Sequence, residues 1–143
     1  SGRFYCVDSD GFAGEAGGQI NNTTCSNVLT QQSTQQFMLT ELSFLQPFIT
    51  YEYEKGVSRN NSSSCDATNS VFMTADVSRR IQSLEKISTL KAVCFSTPTS
   101  WAVSIGSRFG EKYLCADSTG FSGDVTKNIT SSSCASVKVG NSL

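Results

Sequence analysis

Histidine is absent from all 143 residues. With it go the commonest general base, the Ser-His-Asp and Cys-His arrangements, and the most frequent zinc ligand. Carboxylate chemistry would need paired Asp or Glu, but the 12 acidic residues are scattered in no catalytic spacing. The chain therefore reads as non-enzymatic, with no cofactor. Charge is also scarce, at 16% of residues and a formal net −1, and no run of Lys or Arg forms a stripe for tracking phosphates. That excludes nucleic acid as an expected partner and leaves little attraction to a membrane surface. A continuous apolar run of about 18 residues is missing too, so no membrane contact is expected within this chain. No signal peptide is visible. If the protein is exported, its export signal is expected to lie outside this sequence.

What is present is polar without being charged: Ser, Thr, Asn, Gly and Gln dominate, as suits a secreted or cell-surface module. The length is that of one ordinary domain or slightly more. Six cysteines occur without a CxxC pair and without histidine to complete a zinc set. They read as disulfides made in an oxidising compartment, which places the protein outside the cell.

One stretch occurs twice. "FYCVDSDGFAGEAGGQINNTTC" at 4–25 returns as "YLCADSTGFSGDVTKNITSSSC" at 113–134. Ungapped alignment pairs Cys6 with Cys115, Asp8 with Asp117, Gly11 with Gly120, Phe12 with Phe121, Gly14 with Gly123 and Cys25 with Cys134, at an offset of 115 − 6 = 109 residues. Each copy keeps its two cysteines equally spaced, at 25 − 6 = 134 − 115 = 19. Equal spacing suggests that each copy closes its own loop, Cys6 with Cys25 and Cys115 with Cys134, leaving Cys65 for Cys94. Six cysteines allow fifteen pairings, and the sequence alone does not choose among them. Residues 1–34 then look like the tail of one unit and 35–143 like a whole one, as in a window of a tandem array. The alternative is one domain with a related hairpin at each end.

Between the copies, "SNVLTQQSTQQ" at 26–36 is uncharged and aperiodic, and reads as a linker or an extended segment between units. From Phe37 the apolar residues fall at helical spacing, predicting a helix over about 36–54 that Pro47 kinks and Gly56 ends. A second helix is predicted with Thr74 as N-cap, Asp76 in its first turn and Val77, Ile81, Leu84 and Ile87 on one face. Arg79 and Arg80 read as its solvated side. "LKAVCFS", "SWAVSIG" and "KYLCAD" follow as the strands of an antiparallel meander. The expected fold class is α+β, a helix plus a small antiparallel sheet with disulfide-closed loops.

In that order, "LQPFITYEYEKG", "VFMTADVSRRIQSL", "SWAVS" and "CADSTGFSG" resemble bacterial type IV pilins and pseudopilins over about residues 40–143. The resemblance implies a pilin-like head in which Leu45–Glu54 ends the spine helix, Trp101 lies in the head sheet and Cys115–Cys134 closes the C-terminal loop. It also implies neighbouring copies as partners. The chain departs from the family in lacking the apolar N-terminal half-helix: "FMLTEL" at 37–42 is followed by Ser, Gln and Pro. Heads strung along one polypeptide, with residues 1–34 completing or bridging a neighbouring unit, would replace that anchor.

Four smaller signals have competing readings. "DSDG" at 8–11, with Glu15, resembles part of a calcium loop, or else a plain turn in which Asp8 and Asp117 bind amides and Gly11 and Gly120 supply positive φ. Phe12 and Phe121 read as core residues beside the disulfides. Trp101, Tyr51, Tyr53 and Tyr113 could line a sugar site, or be packed. Asn21, Asn22, Asn60, Asn61 and Asn128 match the N-glycosylation pattern, which at the least places them in loops. The resulting expectation is a structural subunit of an extracellular filament. The alternative is an adhesin or carbohydrate-binding module whose partner is a host surface or glycan.

Overall fold

The computed structural model describes residues 4–7, 13–16, 31–107 and 112–139. Strands β1 (Phe4–Val7) and β2 (Ala13–Ala16) form a hairpin, followed by helices α1 (Gln31–Glu54) and α2 (Ala75–Ser88). A four-stranded antiparallel sheet in simple meander order comes next: β3 (Val93–Ser96), β4 (Trp101–Gly106), β5 (Tyr113–Asp117) and β6 (Ser122–Val125). The α+β class is as expected.

Helix α1 buries Thr34, Met38, Leu42, Leu45, Ile49 and Glu52. Those positions recur at steps of three and four, one stripe of a 3.6-residue helix. Both ends of the stripe are polar, so the apolar pattern alone starts it too late. Residues 31–36 are therefore the first turns of α1 and not linker, and the boundary expected at 34/35 falls inside the helix. Glutamine carries little helix penalty, and buried Thr34 seats the first turn on the core. The helix continues through Pro47, whose missing N–H would have met the Ser43 carbonyl; both residues are exposed, leaving that carbonyl to water. Its end is a Schellman motif: the Gly56 amide donates to Tyr53 O and the Val57 amide to Glu52 O, both at 3.1 Å, with Gly56 at φ 108°.

The second helix matches its predicted face, with Val77, Ile81, Leu84 and Ile87 all buried. Thr74 is its N-cap residue, but its hydroxyl donates to Val71 O at 2.7 Å and so does not cap α2. Arg79 lies exposed beside Asp76. Arg80 corrects the sequence reading. It reaches across to α1, pairs with Glu41 at 2.8 Å and lies over the rings of Phe48 and Phe44 at 4.3 and 4.9 Å. Those rings stand one turn apart and hold the guanidinium plane between the helices.

The sheet is covered on both sides. Val103, Ile105, Leu114 and Ala116 join the helices in the larger core. Ala102, Cys115 and Val125 point the other way and meet Ile129, Cys134 and Val137 of the C-terminal segment in a smaller one. Every residue of β4 is consequently buried. The β1–β2 hairpin packs on α1 through Cys6 and Ala16, which belong to the same cluster as Met38 and Leu42.

Candidate functional site

The features with a shape of their own are the two hairpins, the C-terminal segment that seals the sheet, and a cleft beside α2. Disulfides Cys65–Cys94 and Cys115–Cys134 are both formed. Cys6 is buried and disulfide-bonded, while Cys25 lies outside the described residues.

Asp117 organises the C-terminal loop. It is only 2% exposed, ends β5 and accepts three hydrogen bonds. Its Oδ1 takes the Thr119 amide at 3.0 Å and the Thr119 hydroxyl, and Oδ2 takes the Cys134 amide at 2.8 Å. One carboxylate thus holds both the β5–β6 turn and the far cysteine of its own strand's disulfide. Gly120 adopts φ 93° beneath it, the left-handed position that a three-residue hairpin loop requires. The turn is tied to β4 by a reciprocal pair, Trp101 N to Ser118 Oγ at 3.2 Å and Ser118 N to Trp101 O at 2.9 Å. This is the amide-binding reading of the DSTG segment; Asp8, Asp10 and Gly11 of the DSDG twin lie outside the described residues. Among the described residues no cluster of acidic, Cys or His side chains could hold a metal.

The segment after β6 is fastened at several points. Ser104 Oγ donates to Asn128 Oδ1 at 2.9 Å and accepts the Ile129 amide at 3.0 Å. Ser100 and Ser132 hydroxyls lie 2.6 Å apart, and Thr126 N donates to Val137 O at 2.7 Å. Phe121 is half-buried on the smaller core with the Lys138 ammonium 4.4 Å above its ring, as its core reading expects. Phe12 lies outside the described residues. Ser104 and Asn128 were missed as a pair because a lone Ser inside an apolar strand carries no sequence signal beyond its alternation.

The four aromatics proposed for a sugar site are not brought together. Trp101 is 2% exposed, and Tyr113 stands at the opposite end of the β4–β5 ladder, across from Gly106. Tyr51 and Tyr53 are on the last turn of α1, with Lys55 over the first ring at 4.9 Å and Arg59 over the second at 4.0 Å. Of the glycosylation-pattern residues, Asn60 and Asn61 are exposed, Asn128 is engaged by Ser104, and Asn21 and Asn22 lie outside the described residues.

An open cleft of about 500 Å³ beside the start of α2 is lined by Ser58, Asn60, Asn69, Ser70, Met73 and Thr74 among others. Ser70 is buried, and its Oγ has no hydrogen-bond partner there. Asn69 holds φ 65°, a left-handed conformation that Asn tolerates better than most residues.

The two copies of the repeat build the same hairpin. Cys6 stands opposite Gly14 and Cys115 opposite Gly123, and all four pairings from Phe4–Ala16 to Val7–Ala13 recur as Tyr113–Val125 to Ala116–Ser122. Their packing is inverted. In the second copy the cysteine face turns away from α1 into the smaller core, whereas in the first Cys6 faces α1. No helix among the described residues is long and apolar enough to cross a membrane. No protein-family model, curated protein or solved structure matches this chain.

Proposed function

We propose that this chain is a structural subunit, or a tandem segment, of an extracellular pilus-like filament, with a type IV pilin-like head acting through contacts between copies. The reading rests on one observation above all. A helix is laid across an antiparallel meander whose last hairpin is closed by a disulfide, and that hairpin is built a second time at a 109-residue offset, Cys6 to Cys115, in identical register. A strand pair repeated in the same direction at a fixed offset is what a head-to-tail tandem array would contain. The disulfides suit an oxidising, extracellular setting.

Electron microscopy of the protein purified from its natural source, joined to its intact mass, tests this reading. Filaments, or a mass several-fold above 15.4 kDa, are expected. Monomers of that mass that stay dispersed at high concentration would sink it.

A second reading, a glycan-binding module, draws on the cleft at Ser70. Neutral amides and hydroxyls line it, with Met73 as an apolar neighbour, a composition suited to an uncharged sugar. Binding on a glycan array that Asn60→Ala abolishes without altering the fold would favour this reading over the first.

A further inference from the structure

The inverted packing of the two hairpins leaves a specific surface open. In the C-terminal copy, Leu114 and Ala116 lie under the helices, and the edge of β5 away from β6 pairs with β4. Their counterparts at the 109-residue offset are Tyr5 and Val7, which are 70% and 77% exposed. The corresponding edge of β1, away from β2, pairs with no strand among the described residues. Face and edge thus both lack what the second copy of the same hairpin possesses. An apolar pair on an open strand edge is a pairing surface that monomeric proteins ordinarily cover.

We propose that this surface docks a second copy of the segment spanning α1 to β4, residues 31–109, which adds its β4 to β1 and lays its α1 over Tyr5 and Val7. The β4–β5 interface within the chain supplies the template, with Ser104 opposite Cys115 and Val103 opposite Ala116. By the same offset, Ser104 of the incoming copy stands opposite Cys6, and Val103 opposite Val7. The hairpin would then be covered on both faces: its own α1 packs on the Cys6 and Ala16 side, and the incoming α1 on the other. An intact second copy cannot dock in this way, because its β4 already holds its own β5. The occupant is therefore a unit whose tail is supplied by residues 4–16 of this one. This assignment rests on the filament reading above and names its contact surface.

The test is a fusion that places a copy of residues 31–109 directly ahead of Ser1 in the full chain, keeping the 109-residue register, followed by amide hydrogen exchange. Docking predicts that exchange of residues 5–7 slows at least tenfold relative to the unfused chain. It also predicts that Tyr5→Lys with Val7→Lys in the fusion removes this protection while α2 of the original chain stays protected. Unchanged exchange at residues 5–7, whether the added segment folds or not, overturns the docking. If the natural protein forms filaments but the hairpin gains no protection, this inference fails and the filament reading stands. Protection in the fusion from a natural protein that never polymerises gives the reverse result.

Discussion

At the scale of single residues, Asp117 and Thr89 mark opposite kinds of constraint. Truncating Asp117 would leave the buried Cys134 amide and the part-buried Thr119 amide without their acceptor. Asp117→Ala is expected to cost about 3 kcal/mol and to make the C-terminal loop protease-sensitive before the sheet melts, which urea titration with limited proteolysis checks. Thr89 caps the end of α2 at φ 67°, where its β-branched side chain is exposed and strained. Thr89→Gly relieves that strain and should raise stability by about 1 kcal/mol, read as a higher urea midpoint. Tyr53 contributes a pH dependence at the alkaline end. Burial pushes its phenol up from the ordinary value, with the Arg59 guanidinium opposing part of the rise. The unfolded chain therefore ionises this tyrosine first, so its contribution is intact below about pH 10 and is lost as pH climbs through the folded value. Urea midpoints measured at pH 9 and pH 10.5 should show a fall that Tyr53→Phe reduces.

Among the elements, α2 could be read from its sequence because four apolar residues at helical spacing are its buried face. The meander was legible through β3, β4 and β5, whose apolar runs are broken by turn residues. Strand β6 was not: "SGDV" is short and buries only Val125, and it is specified by its pairing with β5. The start of α1 was hidden for a related reason, since Thr34 occupies a core position with a polar side chain. Arg80 was misplaced because a charged residue beside another on a helix looks solvated until the facing helix brings Glu41, Phe44 and Phe48 to it. That contact predicts that Arg80→Ala loosens the α1–α2 pair by about 1.5 kcal/mol, and that Arg80→Lys recovers only part, because an ammonium cannot stack as a planar fork. A double-mutant cycle with Glu41→Gln, measured by thermal unfolding, separates the ion pair from the stacking. The repeat itself was plain in the sequence, but the inversion of its packing was not, because alternation fixes which residues share a face and leaves open which face meets the helix.

For the whole molecule, the two described disulfides partition the chain into rings that an end-to-end pull cannot open. Cys65–Cys94 spans 29 residues and encloses all of α2, while Cys115–Cys134 spans 19 and encloses β6 with the segment that seals the sheet. Fully extended, those stretches amount to about 95 Å and about 60 Å of contour length beyond their native spans. Single-molecule stretching of the oxidised protein should gain the longer increment when Cys65 and Cys94 are replaced by Ser. Replacing Cys115 and Cys134 by Ser should release the shorter increment alone. Tension thus bypasses α2, β6 and the C-terminal seal and runs through α1 and β4, so a stretched chain would keep both ringed segments slack.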